Sequence, residues 1–225
     1  MSDQGYYIYD LRLEESIILS SYEIAPDVFL LSMPRAHDFI PGQVIGLALD
    51  PKDDARLYSI CSGKDQDELQ VLFNVKQDGY LTPSLANVHQ GDKIWISKPY
   101  GSFLGTTEAA YWIAAGTGIA PFLSMFRSGQ GRDKVLIHGS RTLDSFYFSE
   151  EFKPILQGNY IRCCSREARN EVYEGRVTDY LKYCTHLPPD HKYYICGLAE
   201  MVVEARDILI SRGIPFEQIM AEIYF

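Results

Sequence analysis

The sequence has no long apolar run and relatively little positive charge, and each absence argues against a class of protein. No apolar stretch approaches the roughly 18 residues that a membrane-spanning helix requires, so no membrane span is expected. The 21 lysines and arginines are outnumbered by 30 aspartates and glutamates, which gives a net charge of -9. General nucleic-acid binders carry a basic surface that displaces counterions from phosphates, so nucleic acid is not an expected partner.

Cysteine and histidine are also scarce, and they show no metal-binding pattern. The five cysteines have no C-x-x-C spacing, and the five histidines contain no i, i+4 pair. The sequence therefore predicts no metal site. The odd cysteine count, and the absence of a charged and then apolar opening segment, predict a cytoplasmic protein with free thiols.

Two successive patterns of apolar residues run along the chain. From about residue 16 to 98, short or alternating apolar runs are separated by turn residues, which is typical of an antiparallel barrel or sandwich. One short helix is expected among them, with Thr82 as its N-cap and Pro83 as its first helical residue. From about residue 109, four strand-like runs each lead into a helix-like run, and a last strand follows. This alternation predicts a parallel sheet with helices on its faces.

Together the two patterns predict a mixed β and α/β fold, in which an N-terminal antiparallel β-barrel precedes a parallel-sheet α/β domain. Glycine and threonine cluster at residues 102–108, between the two patterns. We therefore expect one domain over residues 1–105 and a second over residues 106–225.

Candidate ligand-binding residues follow the strands of the predicted parallel sheet, where open α/β sheets bind their ligands. The turn Gly116-Thr117-Gly118 leads from the first strand into a helix and offers backbone N–H groups to an anion such as a pyrophosphate. Such a turn is equally compatible with a tight connection that binds nothing. Each arginine after the later strands suits a solvated loop when taken alone, and only their joint placement indicates a phosphate site. The residues after these strands are Arg141, Ser165, Arg166, Cys196 and Gly197, with Arg176 further along.

Six segments of the sequence occur in the order that is found in a known family. They are RLYS (56–59), VKQDGYLTPSL (75–85), GTGIAPF (116–122), SR (165–166) with GR (175–176), CGLAEMV (196–202) and AEIYF (221–225). On these segments the chain resembles the ferredoxin–NADP(+) reductase superfamily of flavin-dependent oxidoreductases, and within it the bacterial ferredoxin and flavodoxin reductases. The resemblance covers nearly the whole chain.

For the first domain the resemblance implies a flavin site with FAD as the cofactor. Arg56 is expected to pair with the flavin diphosphate, Tyr58 to pack its ring on the isoalloxazine, and Ser59 to lie close to flavin N5. A guanidinium, a phenol and a small hydroxyl suit these three tasks, although Tyr58 and Ser59 also suit a barrel strand that binds nothing. The other residues implied at this site are Val75, Gly79 and Thr82.

For the second domain the resemblance implies an NADP(H) site. The residues implied at the pyrophosphate are Gly116, Thr117, Gly118 and Pro121, and those at the adenosine 2'-phosphate are Arg141, Arg166 and Arg176 with Ser165 beside them. The arginines predict NADPH over NADH, because a cation cluster has no partner when the ligand carries only a 2'-hydroxyl. Cys196 and Gly197 are expected to border the nicotinamide. Tyr224 and Phe225 are expected to stack on a flavin or an adenine ring, or else to plug the interface between the domains.

The implied activity is hydride transfer between NADP(H) and FAD, coupled to single-electron transfer to or from a ferredoxin or flavodoxin. Ser59, Cys196 and Glu222 are the expected catalytic residues, with Glu222 relaying or positioning a proton. Four cysteines spaced for an iron–sulfur cluster are absent, so the electron carrier is expected to be a separate molecule. Two alternatives stay open: an NADH-dependent reductase component of an oxygenase or a flavin or ferric reductase, and a non-catalytic flavin-binding electron-transfer subunit.

Overall fold

The structure is a computed structural model that describes residues 12–224. Its first half contains seven strands, and every hydrogen-bonded pair of them is antiparallel. The strands form two sheets, with the orders β1-β7-β4-β5 and β2-β3-β6, and a bridge between Ile60 and Val71 connects the two. Their bounds are β1 Leu13–Ile17, β2 Ser20–Ala25, β3 Val28–Pro34, β4 Val44–Ala48, β5 Arg56–Ser59, β6 Glu68–Asn74 and β7 Lys93–Ser97.

One apolar core fills the space between the two sheets. In β7, Ile94 and Ile96 are buried while Lys93 is exposed, as expected for a strand with one face toward a core. Other buried members of this core are Leu31 of β3, Ile45 of β4 and Phe73 of β6. The antiparallel first half that the sequence predicts is therefore confirmed.

The short helix α1, Thr82–Leu85, lies between β6 and β7. Its N-cap is Leu81, so the prediction that Thr82 caps the helix is wrong by one residue. Thr82 is the first helical residue, and its Oγ1 accepts a hydrogen bond of 2.9 Å from the N–H of Lys76. The hydroxyl is thus used by the preceding turn, and the helix begins without a side-chain cap.

The second half contains a six-stranded sheet, in which every hydrogen-bonded pair is parallel. Its order is β11-β10-β9-β8-β12-β13, so the chain builds outward from β8 and then returns to the other side of it. This reversal makes the carboxyl ends of β8 and β12 a topological switch point, where such sheets bind ligands. The strands are β8 Ala110–Ala115, β9 Lys134–Ser140, β10 Tyr160–Cys164, β11 Tyr173–Glu174, β12 Lys192–Leu198 and β13 Ile219–Tyr224.

Four helices cover the two faces of the parallel sheet, and each face has its own core. Trp112 and Leu136 share one core with Phe122 and Phe152 of the first two helices. The other core joins Ile113 and Ile137 of the sheet to Leu181 and Leu209 of the last two helices. This arrangement confirms the predicted α/β half. The helices are α2 Ala120–Met125, α3 Ser149–Leu156, α4 Val177–Tyr183 and α5 Ala199–Ser211.

The two halves of the protein share a core. Val28, Cys61 and Leu72 of the first half are buried in the same apolar cluster as Phe122 and Met125 of α2. The halves therefore meet through close-packed apolar side chains.

Three further properties belong to the part of the chain that the structure describes. All five cysteines are free. No group of three potential metal ligands lies together within residues 12–224. Over the same range, no helix is long and apolar enough to cross a bilayer.

Candidate active site

Three strands bring the expected catalytic residues together at the switch point. β5 carries Ser59, β12 carries Cys196, and β13 carries Glu222 directly opposite Cys196 in the parallel register. The Ser59 hydroxyl donates a hydrogen bond of 2.8 Å to Oε2 of Glu222, and the Cys196 thiol lies 3.8 Å from the same oxygen as a weak donor. The Tyr224 hydroxyl donates to Oγ of Ser59 at 2.7 Å. Four residues that the sequence singled out thus form one hydrogen-bonded cluster.

The cluster is largely buried, which changes the acidity of its members. Burial raises the pKa of the Glu222 carboxyl above its usual value, and the hydrogen bonds from Ser59 and Cys196 offset part of that rise. Burial also raises the pKa of the Cys196 thiol and of the Tyr224 phenol well above their usual values. Cys196 and Tyr224 therefore keep their protons at neutral pH, and they donate to Glu222 and to Ser59, respectively.

The β5 strand presents an open edge beside this cluster. It is the last strand of its sheet and pairs only with β4 through residues 56–59. Arg56 is exposed, and its guanidinium has no hydrogen-bond or ion-pair partner among residues 12–224. Tyr58 is half-buried with its ring edge-on to Phe73 at 6.1 Å, and burial raises its pKa to about 12, so the phenol is neutral. A cation and a neutral ring on one edge strand can bind an anionic aromatic molecule.

The segment from Val75 to Thr82 forms a tight turn. The N–H of Gly79 donates to the backbone oxygen of Lys76 at 2.8 Å, and a Cβ at Gly79 would lie 3.0 Å from Lys76 atoms, so the turn favours glycine. The N–H of Val75 is held by the backbone oxygen of Asp27 at 2.7 Å. These contacts place Val75, Gly79 and Thr82 in one compact unit.

Tyr80 is a residue of this turn that sequence reasoning missed. Its ring is 73% exposed, and its hydroxyl donates to Oδ2 of Asp53 at 3.1 Å, in the loop before β5. The turn and the RLYS strand are therefore connected through a side chain. In the sequence, the signal for Tyr80 was a tyrosine directly after the turn residues Asp78 and Gly79.

The glycine-rich turn after β8 packs against the end of β12. Residues 116–119 form a single 3-10 turn that leads into α2, and Pro121 lies buried in the first turn of that helix. Gly116 has a positive φ of 56°. A Cβ at Gly118 would lie 2.6 Å from the carbonyl carbon of Cys196, which backbone atoms cannot accommodate. Gly118 is therefore needed to bring the turn and its Thr117 against Cys196 and Gly197.

The expected phosphate-binding arginines come from neighbouring strand ends. Backbone hydrogen bonds extend the β9–β10 pairing beyond the strands, because Ser165 donates to Ser140 and Arg166 to Arg141, each at 3.1 Å. Arg141 and Arg166 thus lie side by side, both exposed and without a side-chain partner among the described residues. They form a pair of available guanidinium groups in a protein of net charge -9.

Arg176 approaches the same strand end from β11. Gly175 donates to the backbone oxygen of Cys164 at 2.8 Å, and the N–H of Arg176 donates to Oδ2 of Asp179 at 3.0 Å. The structure therefore places Arg176 as the N-cap of α4, two residues beyond the end of β10 in the pairing.

Glu167 is an acidic residue beside these arginines that the sequence analysis did not single out. Its Oε2 accepts a hydrogen bond of 2.7 Å from the N–H of Leu143. The carboxylate thereby ties the loop after β10 to the loop after β9. Phe225, which was expected to stack on a ring, lies outside the described residues.

The second half matches a known sequence family. The family model described as the oxidoreductase NAD-binding domain matches residues 112–207, from β8 into α5. The match includes the glycine-rich turn, the arginines and Cys196.

Two curated relatives align with most of the chain. A ferredoxin–NADP reductase of Azotobacter vinelandii is 30% identical over 212 residues, which cover 80% of this chain and 80% of the relative. The reductase component of propane 2-monooxygenase from Mycolicibacterium goodii is 28% identical over 238 residues, which cover 96% of this chain and 68% of the relative.

A solved structure shares the fold of both halves. The crystal structure of a ferredoxin NADP+ reductase from Neisseria gonorrhoeae with bound FAD and NADP has a TM-score of 0.86 at 24% identity, and the match covers 96% of this chain and 100% of that one. The two-half fold is thus shared with that solved structure, and the identity to the Azotobacter enzyme extends over both halves. On this evidence, the chain belongs to the ferredoxin–NADP(+) reductase superfamily of flavin-dependent oxidoreductases.

Proposed function

We propose that this protein transfers hydride between NADP(H) and a bound FAD, and single electrons between the flavin and a ferredoxin or flavodoxin. The observation that carries the proposal is the hydrogen-bonded cluster of Ser59, Cys196, Glu222 and Tyr224. It joins the RLYS strand of the first half to the switch point of the second. A relative named as a ferredoxin–NADP reductase supports the same activity.

The first half suits a flavin nucleotide. The exposed guanidinium of Arg56 has no partner among residues 12–224 and can bind a diphosphate, while the half-buried ring of Tyr58 offers an apolar face to a flat ring system. Both lie on an open strand edge that ends at Ser59. We assign the flavin to residues 1–105, with the turn of Val75, Gly79 and Thr82 at the diphosphate. A bound flavin would supply the conversion between two-electron and one-electron chemistry.

The second half, residues 106–225, suits NADP(H). Gly116, Thr117, Gly118 and Pro121 provide the turn for the pyrophosphate at the switch point. The exposed guanidinium groups of Arg141 and Arg166, with Arg176 and Ser165 nearby, favour a 2'-phosphate. Cys196 and Gly197 would then border the nicotinamide.

The residues of the cluster position the reacting rings and control a proton. The Ser59 hydroxyl is held by two partners, so it points in a fixed direction beside the proposed flavin position. Burial raises the pKa of the Glu222 carboxyl, which favours its protonated form at this position. Cys196 and Tyr224 stay neutral, because burial raises the pKa of each well above its usual value.

The electron partner is a separate ferredoxin-type carrier, since the family of ferredoxin reductases and oxygenase reductase components uses such carriers. A ferredoxin or a flavodoxin is the finer proposal. The net charge of -9 means that an acidic carrier has to dock on a locally basic or apolar surface. We place the reaction in the cytoplasm, where the five free thiols stay reduced.

A second candidate is an NADH-dependent reductase component of an oxygenase. Glu167 favours it, because a carboxylate at this position of the nucleotide site can accept a hydrogen bond from a 2'-hydroxyl. The Mycolicibacterium relative is named as such a component.

Anaerobic stopped-flow absorbance of the purified protein tests both candidates. Fast bleaching of the flavin band by NADPH and slow bleaching by NADH are the expected results. Faster bleaching by NADH would favour the oxygenase component, and equal rates would overturn the assignment of the arginines to a 2'-phosphate. A flavin that neither nucleotide reduces would indicate a non-catalytic electron-transfer subunit.

A further inference from the structure

Arg127, which follows α2, joins the two halves of the protein through its side chain. Its Nε and Nη2 donate to the two carboxylate oxygens of Glu151 in α3 at 3.0 and 2.6 Å. Its Nη1 donates to the backbone oxygen of Cys61 at 3.3 Å and to Oε1 of Gln70 at 3.0 Å. The guanidinium also lies 5.2 Å from the ring centre of Phe148. One side chain thus binds α3 on one side, and Cys61 after β5 and Gln70 in β6 on the other.

The backbones approach closely at the same place. A Cβ at Gly63 would lie 2.8 Å from the backbone oxygen of Arg127, so the contact needs glycine. The N–H of Lys64 donates to Oγ of Ser128 at 2.9 Å. The Arg127 side chain is only 17% exposed. A buried, bidentate arginine fixes direction as well as distance.

The position of this contact relates it to the proposed reaction. Cys61 follows Ser59 by two residues in the same extended segment, so Arg127 holds the end of the RLYS strand against the second half. The apolar core that the halves share supplies attraction, but apolar attraction does not fix an orientation. The Ser59–Glu222 bond lies beside Cys196 at the switch point, whereas Arg127 lies at the far end of α2 from the glycine-rich turn. Arg127 contacts no residue that we assign to either ligand.

We propose that Arg127 is a positioning residue that sets the orientation of the flavin-binding half against the nucleotide-binding half. Its kinetic consequence rests on the proposed function, while the orientation itself is a property of the chain. A misplacement of about 1 Å between reacting groups costs about 10²-fold in rate. Loss of Arg127 therefore slows hydride transfer and leaves the affinity for the nucleotide unchanged.

The orientation is measured by pulsed electron paramagnetic resonance on the full chain without added nucleotide. Spin labels are attached through Gln90→Cys and Asn159→Cys, which are exposed positions in the two halves. A Cys184→Ser background removes the one cysteine that is not buried. Arg127→Met removes all four hydrogen bonds, and Glu151→Gln weakens the pair from the other side if the first variant does not fold. The control is Arg206→Met, which removes an ion pair with Asp207 within α5.

Arg127→Met is expected to broaden the distance distribution relative to the parent and to Arg206→Met. In stopped flow, the same change is expected to lower the limiting rate of flavin reduction by about tenfold or more, with the Kd of NADPH unchanged within about twofold. An unchanged distance distribution overturns the proposal, whatever the rate does. A broadened distribution with an unchanged limiting rate overturns the positioning role. If neither nucleotide reduces the parent, the proposed function fails, and the distances alone decide whether Arg127 orients the halves.

Discussion

Ser59 and Glu222 are 163 positions apart in the sequence, yet a hydrogen bond of 2.8 Å joins the hydroxyl of one to the carboxyl group of the other. The bond connects β5 in the first half to β13, the last strand of the second. Neither half contains the cluster alone, so the chemistry depends on how the halves meet.

Ser59→Ala is expected to slow flavin reduction by NADPH by about 10²-fold, because it removes the hydroxyl that connects Glu222 and Tyr224 next to the proposed flavin position. The Kd of the nucleotide is expected to stay the same, and single-turnover stopped flow separates the two quantities. Ser97→Ala is the matched control, since Ser97 is a buried serine of β7 whose Oγ bonds only to backbone groups. Equal effects of the two substitutions would mean that Ser59 acts through stability alone.

Glu222→Gln is expected to raise the free energy of unfolding more at pH 7 than at about pH 4. Burial raises the folded-state pKa of this carboxyl above the usual 4.5, so its contribution to stability is present at low pH and is lost as the pH rises through the folded pKa. Glutamine does not ionise and avoids that loss. Urea unfolding of parent and variant at the two pH values checks the difference.

The control for this pH dependence is Glu200→Gln, an exposed carboxylate in the first turn of α5. Its effect on the free energy of unfolding is expected to be small at both pH values. A Glu222→Gln effect that is equally large at pH 4 and pH 7 would contradict the raised pKa.

Arg166→Ala is expected to weaken NADPH binding by about tenfold to a hundredfold, because a charge-assisted hydrogen bond contributes roughly 1.5–3 kcal/mol. Binding of NADH is expected to change little, and titration of the flavin absorbance with each nucleotide measures both. Arg132→Ala serves as the control. It removes an exposed guanidinium just before β9, at the amino end of that strand, whereas Arg166 follows the carboxyl end of β10. Equal losses for NADPH and NADH would place Arg166 elsewhere than at the 2'-phosphate.

Gly118→Ala is expected to lower both the melting temperature and the affinity for nucleotide, because the added Cβ meets the backbone of Cys196 at the end of β12. Backbone atoms at a strand end cannot move aside without displacing the turn. Gly158→Ala is the matched control, since nothing lies within 4 Å of a Cβ at that position. Calorimetry and nucleotide titration of both variants give the comparison, and a Gly118 variant as stable as the Gly158 variant would show that the turn tolerates a side chain.

The sequence predicted the elements whose pattern is local. Strand-then-helix repeats after residue 109 gave the parallel sheet, since each repeat has its own apolar run. The cap of α1 was misplaced because the Thr82 hydroxyl accepts a hydrogen bond from the N–H of Lys76. A sequence does not show which of two nearby backbone N–H groups a hydroxyl will accept a hydrogen bond from. β11 has only two residues, Tyr173 and Glu174, too few to form a pattern.

The residues of the candidate cluster could be singled out where short motifs mark them, and not where contacts are long-range. RLYS, the glycine-rich turn and the terminal AEIYF pointed to Ser59, Gly118 and Glu222 through resemblance. Nothing in the sequence near Arg127 indicates that it reaches Cys61, which lies 66 positions away. Such a contact depends on how the two halves pack, and packing is decided by the whole chain.

The shared core has a consequence for expressing the two halves as separate fragments. Dividing the chain between β7 and β8 would keep every sheet whole, but it would also separate Val28, Cys61 and Leu72 from their apolar contacts with Phe122 and Met125. Each fragment would then expose an apolar patch where it contacted the other half, and exposed apolar patches favour aggregation. Residues 12–224 are therefore expected to unfold as one cooperative unit, although the two halves differ in sheet architecture.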